Sequence, residues 1–311
     1  MFITNPDPFL LPSFRISPFL TSSLDRNLAI EDRFSSVCIE YFNQRFGEGN
    51  WMLTYNGREG IELALESMQL PQETCVSILT PSNNKYISSC VTSTIEKSHT
   101  WNRHKSSNTS AFLVNHEFGY IYKNMEDLLE EGLPVLEDCC TTFFSQDEKN
   151  KVGKYGKFSV YSFPKFFAIQ IGGLLVGERV GECVPLSNAS VLSQAESHYI
   201  LKVIGYEWDQ VNQLLEKRKS NFEYAVSSFS SLGFSLRFPD HDLVVPSALL
   251  LNNHGIITDL PQLKKFLNAH GIQNSIFYGE DAFFLPCHQN LSKADIDYFA
   301  FVVTNHILSQ N

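Results

Sequence analysis

Apolar residues recur along this chain with two periods. From Glu31 to Phe46, the positions Phe34, Val37, Cys38, Tyr41 and Phe42 repeat in helical steps. A second helical stripe opens at Gly57, runs through Ile61, Leu63, Ala64, Leu65 and Met68, and stops near Leu70–Pro71. Short β-like runs then alternate with helical ones. Val76–Thr80 is a strand, 86–95 a helix, Ala111–Val114 a strand, and 125–131 a helix with Asn124 as its N-cap. Pro134–Leu136, Phe158–Phe163 and Leu174–Val176 supply further strands. Such alternation predicts a mostly parallel sheet covered by helices on both faces, an α/β fold.

The pattern changes after Asn188. Residues 189–231 read as a long helical stretch broken near Gly205. A strand over 244–251, a helix over 260–269 ended by Gly271, a strand over 273–278 and a helix over 294–308 follow. This β-α-β-α tail predicts a smaller C-terminal α/β domain, residues 216–311, after a larger unit, residues 1–215. Residues 1–30, rich in Pro, Ser and Phe without periodicity, read as an extended arm.

Composition narrows the function classes. The 311 residues carry 24 basic and 34 acidic side chains, a net charge of −10, with no Lys/Arg-rich stretch, so nucleic acid is not an expected partner. With 25 Phe, 12 Tyr and 3 Trp, the chain has ample material for a packed core. The N-terminus lacks a positively charged leader pattern. The most apolar window, 158–176, contains Lys165, Gln170 and a glycine pair, so neither export nor membrane insertion is expected. Seven cysteines without a CxxC spacing read as reduced thiols of a cytoplasmic protein. The histidines show no metal-ligand spacing, and neither a G-x-S-x-G elbow nor a GxGxxG loop follows a strand.

Ligands of open α/β sheets bind at the carboxyl ends of the strands. Three segments place polar groups there. Asn56-Gly57-Arg58-Glu59-Gly60 opens a helix, whose free amides suit a phosphate, although an ordinary glycine-containing helix start has the same pattern. Asp138 ends an apolar run, where a carboxylate serves as a cap or as the partner of a cationic ring nitrogen. Lys165 lies within Ser-Phe-Pro-Lys-Phe-Phe, where it either snorkels to the surface or is held desolvated as a nucleophile. A phosphate-binding helix start, a strand-end aspartate and a nucleophilic lysine, in that order, are the parts that hold pyridoxal phosphate.

These segments resemble the DegT/StrS family of sugar aminotransferases. Gly57-Arg58-Glu59-Gly60-Ile61-Glu62-Leu63-Ala64-Leu65 is similar to the family's phosphate segment, and Pro134-Val135-Leu136-Glu137-Asp138-Cys139-Cys140 to its strand end. Gly156 to Lys165, with Gly172-Gly173 beyond, resembles the Schiff-base segment. His116-Glu117-Phe118-Gly119 resembles the segment preceding the helix that leads to the aspartate strand, and Leu285-Pro286-Cys287-His288-Gln289 resembles the late Leu-Pro-x-His element near the C-terminus. The resemblance spans roughly residues 48–308 and implies the fold-type-I pyridoxal-phosphate architecture, with Lys165 as the Schiff-base lysine and Asp138 as the pyridinium partner. It further implies that Ser162, Gly57, Arg58 and Glu59 surround the phosphate and that Tyr86 lies over the cofactor ring. Thr141 would sit beside the cofactor and His288 beside the substrate. No metal is implied. The expected reaction moves an amino group, with glutamate as donor, to a keto group on a nucleotide-linked sugar in amino-sugar and polysaccharide (including lipopolysaccharide) synthesis. A homodimer with shared active sites is implied as well. Lys157 and Gln170 stand where the family usually has acidic residues and the chain is short for the family, which motivates one alternative, a catalytically silent relative that binds cofactor or protein. A second is another pyridoxal reaction on the same fold, such as dehydration or desulfuration, the latter disfavoured because Cys139 and Cys140 abut the strand end.

Overall fold

The computed structural model describes residues 13–183, 192–239 and 241–310. Seven strands form a large sheet: β1 (Trp51–Thr54), β2 (Cys75–Leu79), β3 (Thr100–Asn102), β4 (Thr109–Asn115), β5 (Val135–Asp138), β6 (Phe158–Ser162) and β7 (Gly173–Gly177), in the order β1-β7-β6-β5-β4-β2-β3. From β3 to β6 every pair is parallel, and β7 runs antiparallel to both β6 and β1.

Eight helices accompany this sheet: α1 (Ser23–Ala29), α2 (Phe34–Phe46), α3 (Gly57–Met68), α4 (Ser89–Ile95), α5 (Met125–Glu130), α6 (Val180–Cys183), α7 (Gln194–Asp209) and α8 (Val211–Ser230). Strand side chains alternate between faces. Val160 and Leu175 join Ile61 and Leu65 of α3 in one core. Their neighbours Tyr161 and Leu174 join Phe42 of α2 and Val203 of α7 in another.

A small sheet follows, in the order β10-β11-β9-β8: β8 (Ser235–Leu236), β9 (Ala248–Asn252), β10 (Ser275–Ile276) and β11 (Ala282–Pro286), all antiparallel. Leu249, Leu251, Phe283 and Leu285 meet α9 (Leu260–Ala269), α10 (Lys293–Ser309) and the second half of α8. The opposite face, through Leu250 and Phe284, packs on Tyr120 and Phe118. Position 215 falls inside the continuous helix α8.

Two expectations need correction. The N-terminal arm contains α1, held by Asn27, whose amide donates to the Ala168 carbonyl at 2.7 Å. Residues 1–12 of that arm, and the expected helix start at 189, lie outside the described residues. The long helical stretch breaks at Gln210, and Gly205 sits inside α7. A Cβ at Gly205 would lie 1.9 Å from the Phe34 carbonyl oxygen, so this glycine permits a close crossing of α7 on α2.

Candidate active site

Strands β4, β5 and β6 end side by side, with Asn115 in register with Asp138, and Asp138 with Val160. Asp138 is buried. Its carboxylate accepts from the Asn115 side-chain amide at 2.5 Å and from the Cys140 backbone N–H at 3.0 Å. Two donors on a buried carboxylate offset its loss of water.

Glu137 has a different task. Its carboxylate accepts the backbone amides of Gly153, Tyr155 and Gly156 at 2.9, 2.7 and 2.8 Å, and so shapes the loop that enters β6. The His116 Nε2 lies 3.3 Å from the same carboxylate. His116, Glu137 and Cys139 gather their ligand atoms within 4.8 Å of one another, a spacing that suits a metal. The His116 Nδ1, however, accepts the Tyr122 amide at 3.2 Å, and Glu137 already serves three amides, so hydrogen bonding accounts for the cluster.

Helix α3 opens directly above these strand ends. Asn56 caps it by accepting from the Glu59 N–H at 3.0 Å. The Gly57 and Arg58 amides lie in the first turn, where no intrahelical acceptor exists. A Cβ at Gly57 would lie 2.5 Å from the Cys140 Sγ and 3.4 Å from the Ser162 Cβ, so glycine lets the helix start rest on β5 and β6. The Ser162 hydroxyl has no partner among the described residues. Glu59 turns back to accept the Tyr55 N–H, and burial raises its pKa. The Arg58 Nη2 donates to the Cys90 Sγ at 2.9 Å.

Lys165 ends the tight turn after β6, among the fully buried rings of Phe163, Phe166 and Phe167. Its own side chain is half-buried, and its amine has no hydrogen bond or ion pair among the described residues. The turn begins right after Ser162, whose Cβ would lie 3.4 Å from a Gly57 Cβ, so Lys165 stands three residues from the helix start's contact with β6. Asp138, Gly57, Arg58, Ser162 and Lys165 are therefore brought together.

The remaining expected residues sit differently. The Thr141 hydroxyl donates to the His116 carbonyl at 2.9 Å. The Tyr86 ring packs among Phe118, Phe277, Tyr278 and Phe284, and thus joins the large sheet's loops to the small sheet. His288 is buried, with Nε2 directed at the Arg15 carbonyl at 3.0 Å and Nδ1 accepting the Asn290 amide at 3.2 Å, which leaves neither nitrogen for a substrate. Burial and the nearby Arg218 push its pKa down to about 3.

The sequence did not point to the side chains that hold the lysine loop. Glu207 of α7 accepts the Ala168 N–H through both oxygens at 3.1 Å and pairs with Arg26 at 2.8 Å. Asn27 takes the Ala168 carbonyl. The Gln289 amide donates to the Phe166 carbonyl at 2.7 Å, and Arg218 approaches the Lys165 carbonyl at 3.4 Å. A loop outside the sheet ladder must find such partners or leave polar groups unpaired in the core.

Parallel strand ends that gather a buried carboxylate, a helix start and a lysine turn belong to an α/β fold that this chain shares with solved aminotransferases. A model of the DegT/DnrJ/EryC1/StrS aminotransferase family matches residues 106–309, and the chain belongs to that family. No curated protein sequence matches. Among solved structures, the chain is similar to the aminotransferase TlmJ from Streptoalloteichus hindustanus, with TM-score 0.72 and 15% identity over 96% of this chain and 100% of that one. DesI, solved in the presence of its TDP-sugar product, gives TM-score 0.71 and 14% identity over 97% and 94%. The PLP form of the putative sugar aminotransferase Spr1654 from Streptococcus pneumoniae gives 0.67 and 13% over 98% and 99%.

Proposed function

We propose that this protein transfers an amino group from an amino acid, glutamate being the expected donor, to a keto group on a nucleotide-linked sugar, in amino-sugar and cell-surface polysaccharide synthesis. The observation that carries the reading is the convergence of the Gly57 helix start, the buried Asp138 carboxylate at the end of β5 and the turn that carries Lys165, whose amine has no partner among the described residues, after β6. Membership of the aminotransferase family supports it, as does the likeness to DesI with its TDP-sugar product.

The residues present fit pyridoxal phosphate. A buried carboxylate, a helix start whose glycine leaves room for close approach, an unpaired serine hydroxyl and a free amine match the ring nitrogen, phosphate and aldehyde of that cofactor. When bound, it supplies an electron sink that makes the donor's α-proton removable. Asp138 would hold the ring nitrogen by ion pairing. The Gly57 and Arg58 amides and the Ser162 hydroxyl would hold the phosphate. The Lys165 Nζ would hold the aldehyde end and would be the group that moves a proton during amino transfer. A homodimer acting in the cytoplasm is the setting we propose. Among the described residues no helix is long and apolar enough to cross a membrane.

The test is the visible absorption of the protein mixed with pyridoxal phosphate, compared with Lys165→Ala, followed by addition of glutamate. We expect a lysine-dependent band that glutamate bleaches. A band that persists with every amino donor would point to the silent relative, and no band in the wild type would remove the cofactor reading.

A further inference from the structure

Arg218 is fully buried, and no carboxylate among the described residues pairs with it. Its guanidinium donates to the Pro246 carbonyl at 3.1 Å and the Gln289 Oε1 at 2.7 Å, makes long contacts to the Lys165 and Ser247 carbonyls at 3.4 Å each, and lies 4.6 Å from the Phe166 ring centroid. A cation in the core without an anion is costly, and a neutral side chain would fill the same volume without that cost. What the charge does here is visible at Gln289. An amide side chain can present either its oxygen or its nitrogen, and a cation on one side admits only the oxygen there. The Gln289 nitrogen is thereby turned to the Phe166 carbonyl, at 2.7 Å.

We propose that Arg218 and Gln289 are positioning residues for the reactive lysine: Arg218 selects the amide orientation of Gln289, and Gln289 pins the peptide that follows Lys165. The direct 3.4 Å contact from Arg218 to the Lys165 carbonyl is too long to be the main link, so the short path runs through Gln289. The pair also connects α8 and the segment after β11 to the lysine turn, so the small sheet has a direct hold on the lysine's backbone. This inference rests on the reading of Lys165 as the cofactor lysine.

The experiment uses Gln289→Leu and Gln289→Glu with pyridoxal phosphate as the probe. Both lose the donor to Phe166, but the glutamate variant keeps an acceptor for Arg218. The readouts are the rate of appearance of the lysine-dependent band, its pH midpoint, and cofactor affinity, with Arg218→Lys as a third variant. We expect band formation to slow about tenfold in both Gln289 variants with cofactor affinity changed far less, because a displaced nucleophile costs rate before it costs binding. The pH midpoint should also move in Gln289→Glu, where a carboxylate faces the Phe166 carbonyl. Arg218→Lys, which keeps the cation without the fork, should fall between wild type and Gln289→Leu. If the wild type forms the band and all folded variants match it in rate and midpoint, the positioning role is overturned. A wild type without a band overturns the cofactor reading instead. Should the Gln289 variants fail to fold, Arg218→Lys alone decides: wild-type rate and midpoint overturn the role, and a slowed band supports it.

Discussion

At the end of β5, two adjacent acidic residues face opposite ways because strand side chains alternate. Glu137 turns to the loop that feeds β6, where three amides and His116 surround it. Asp138 turns to the other face, held by Asn115 and the Cys140 amide. A similar division separates the cysteines. Cys38, Cys139 and Cys287 are buried, and burial raises each thiol, that of Cys287 to about 12. Cys90 is exposed. Partial burial works to raise its pKa, but hydrogen bonds from Arg58 and Ser88 and the charges of Arg58 and Lys165 outweigh that and lower it. Thiolate is the reactive form, so Cys90 should alkylate first among these thiols. Iodoacetamide labelling followed by peptide mass spectrometry checks this, and equal labelling of Cys90 and Cys287 in the folded protein would contradict it. At this scale Lys165, Asp138 and Gly57 were legible because strand-end chemistry leaves a local pattern. The Arg58–Cys90 pair joins residues 32 apart and leaves none.

At the scale of elements, Gly205 shows how one residue type carries two meanings. Glycine lowers helix propensity, which suggests a break, yet α7 continues through it because the carbonyl of Phe34 occupies the space a side chain would need. Gly205→Ala should therefore destabilise the fold by about 2 kcal/mol or more, as overpacking exceeds the propensity gain of about 1 kcal/mol. Chemical denaturation of the two proteins measures it, and a stabilised variant would show that α2 can move aside. Helices α2, α3, α9 and α10 were readable because each buries one periodic face. Strands β1, β3 and β8, of 4, 3 and 2 residues, were not, since such short segments show no period and are held by their neighbours in the sheet.

Across the whole molecule, the N-terminal arm is fastened to the small sheet's end of the fold. Phe14 pairs with Gly271 and Gln273 through backbone bonds at 2.8 Å, Asn290 bonds the Pro18 carbonyl at 2.7 Å, and His288 reaches the Arg15 carbonyl. Folding holds His288 neutral down to about pH 3, whereas the unfolded chain protonates it near pH 6.5. Its folded pKa is depressed, so its stability contribution is complete above about pH 6.5 and is lost as pH falls toward 3. Between pH 7 and pH 5 this one group should remove about 2 kcal/mol. Urea melts at both pH values should show that loss in the wild type and a much smaller one in His288→Gln. A pH dependence unchanged by the substitution would refute the assignment.

The clamp around the lysine loop has a consequence in time. Its members lie far from the turn they hold: Asn27 is 141 residues from Ala168, Glu207 is 39, Arg218 is 53 from Lys165, and Gln289 is 123 from Phe166. A ribosome therefore releases Lys165 long before it makes Gln289, and during that interval the loop lacks one of its braces. Residues 13–183 can pair most of the large sheet early, but the lysine turn reaches its final form only after the segment following β11 has been synthesised and docked. If Lys165 is the cofactor lysine as proposed, a ribosome stalled before residue 289 would carry a paired sheet whose lysine turn still lacks the Gln289 brace, and it should capture cofactor more slowly than a chain extended past that residue.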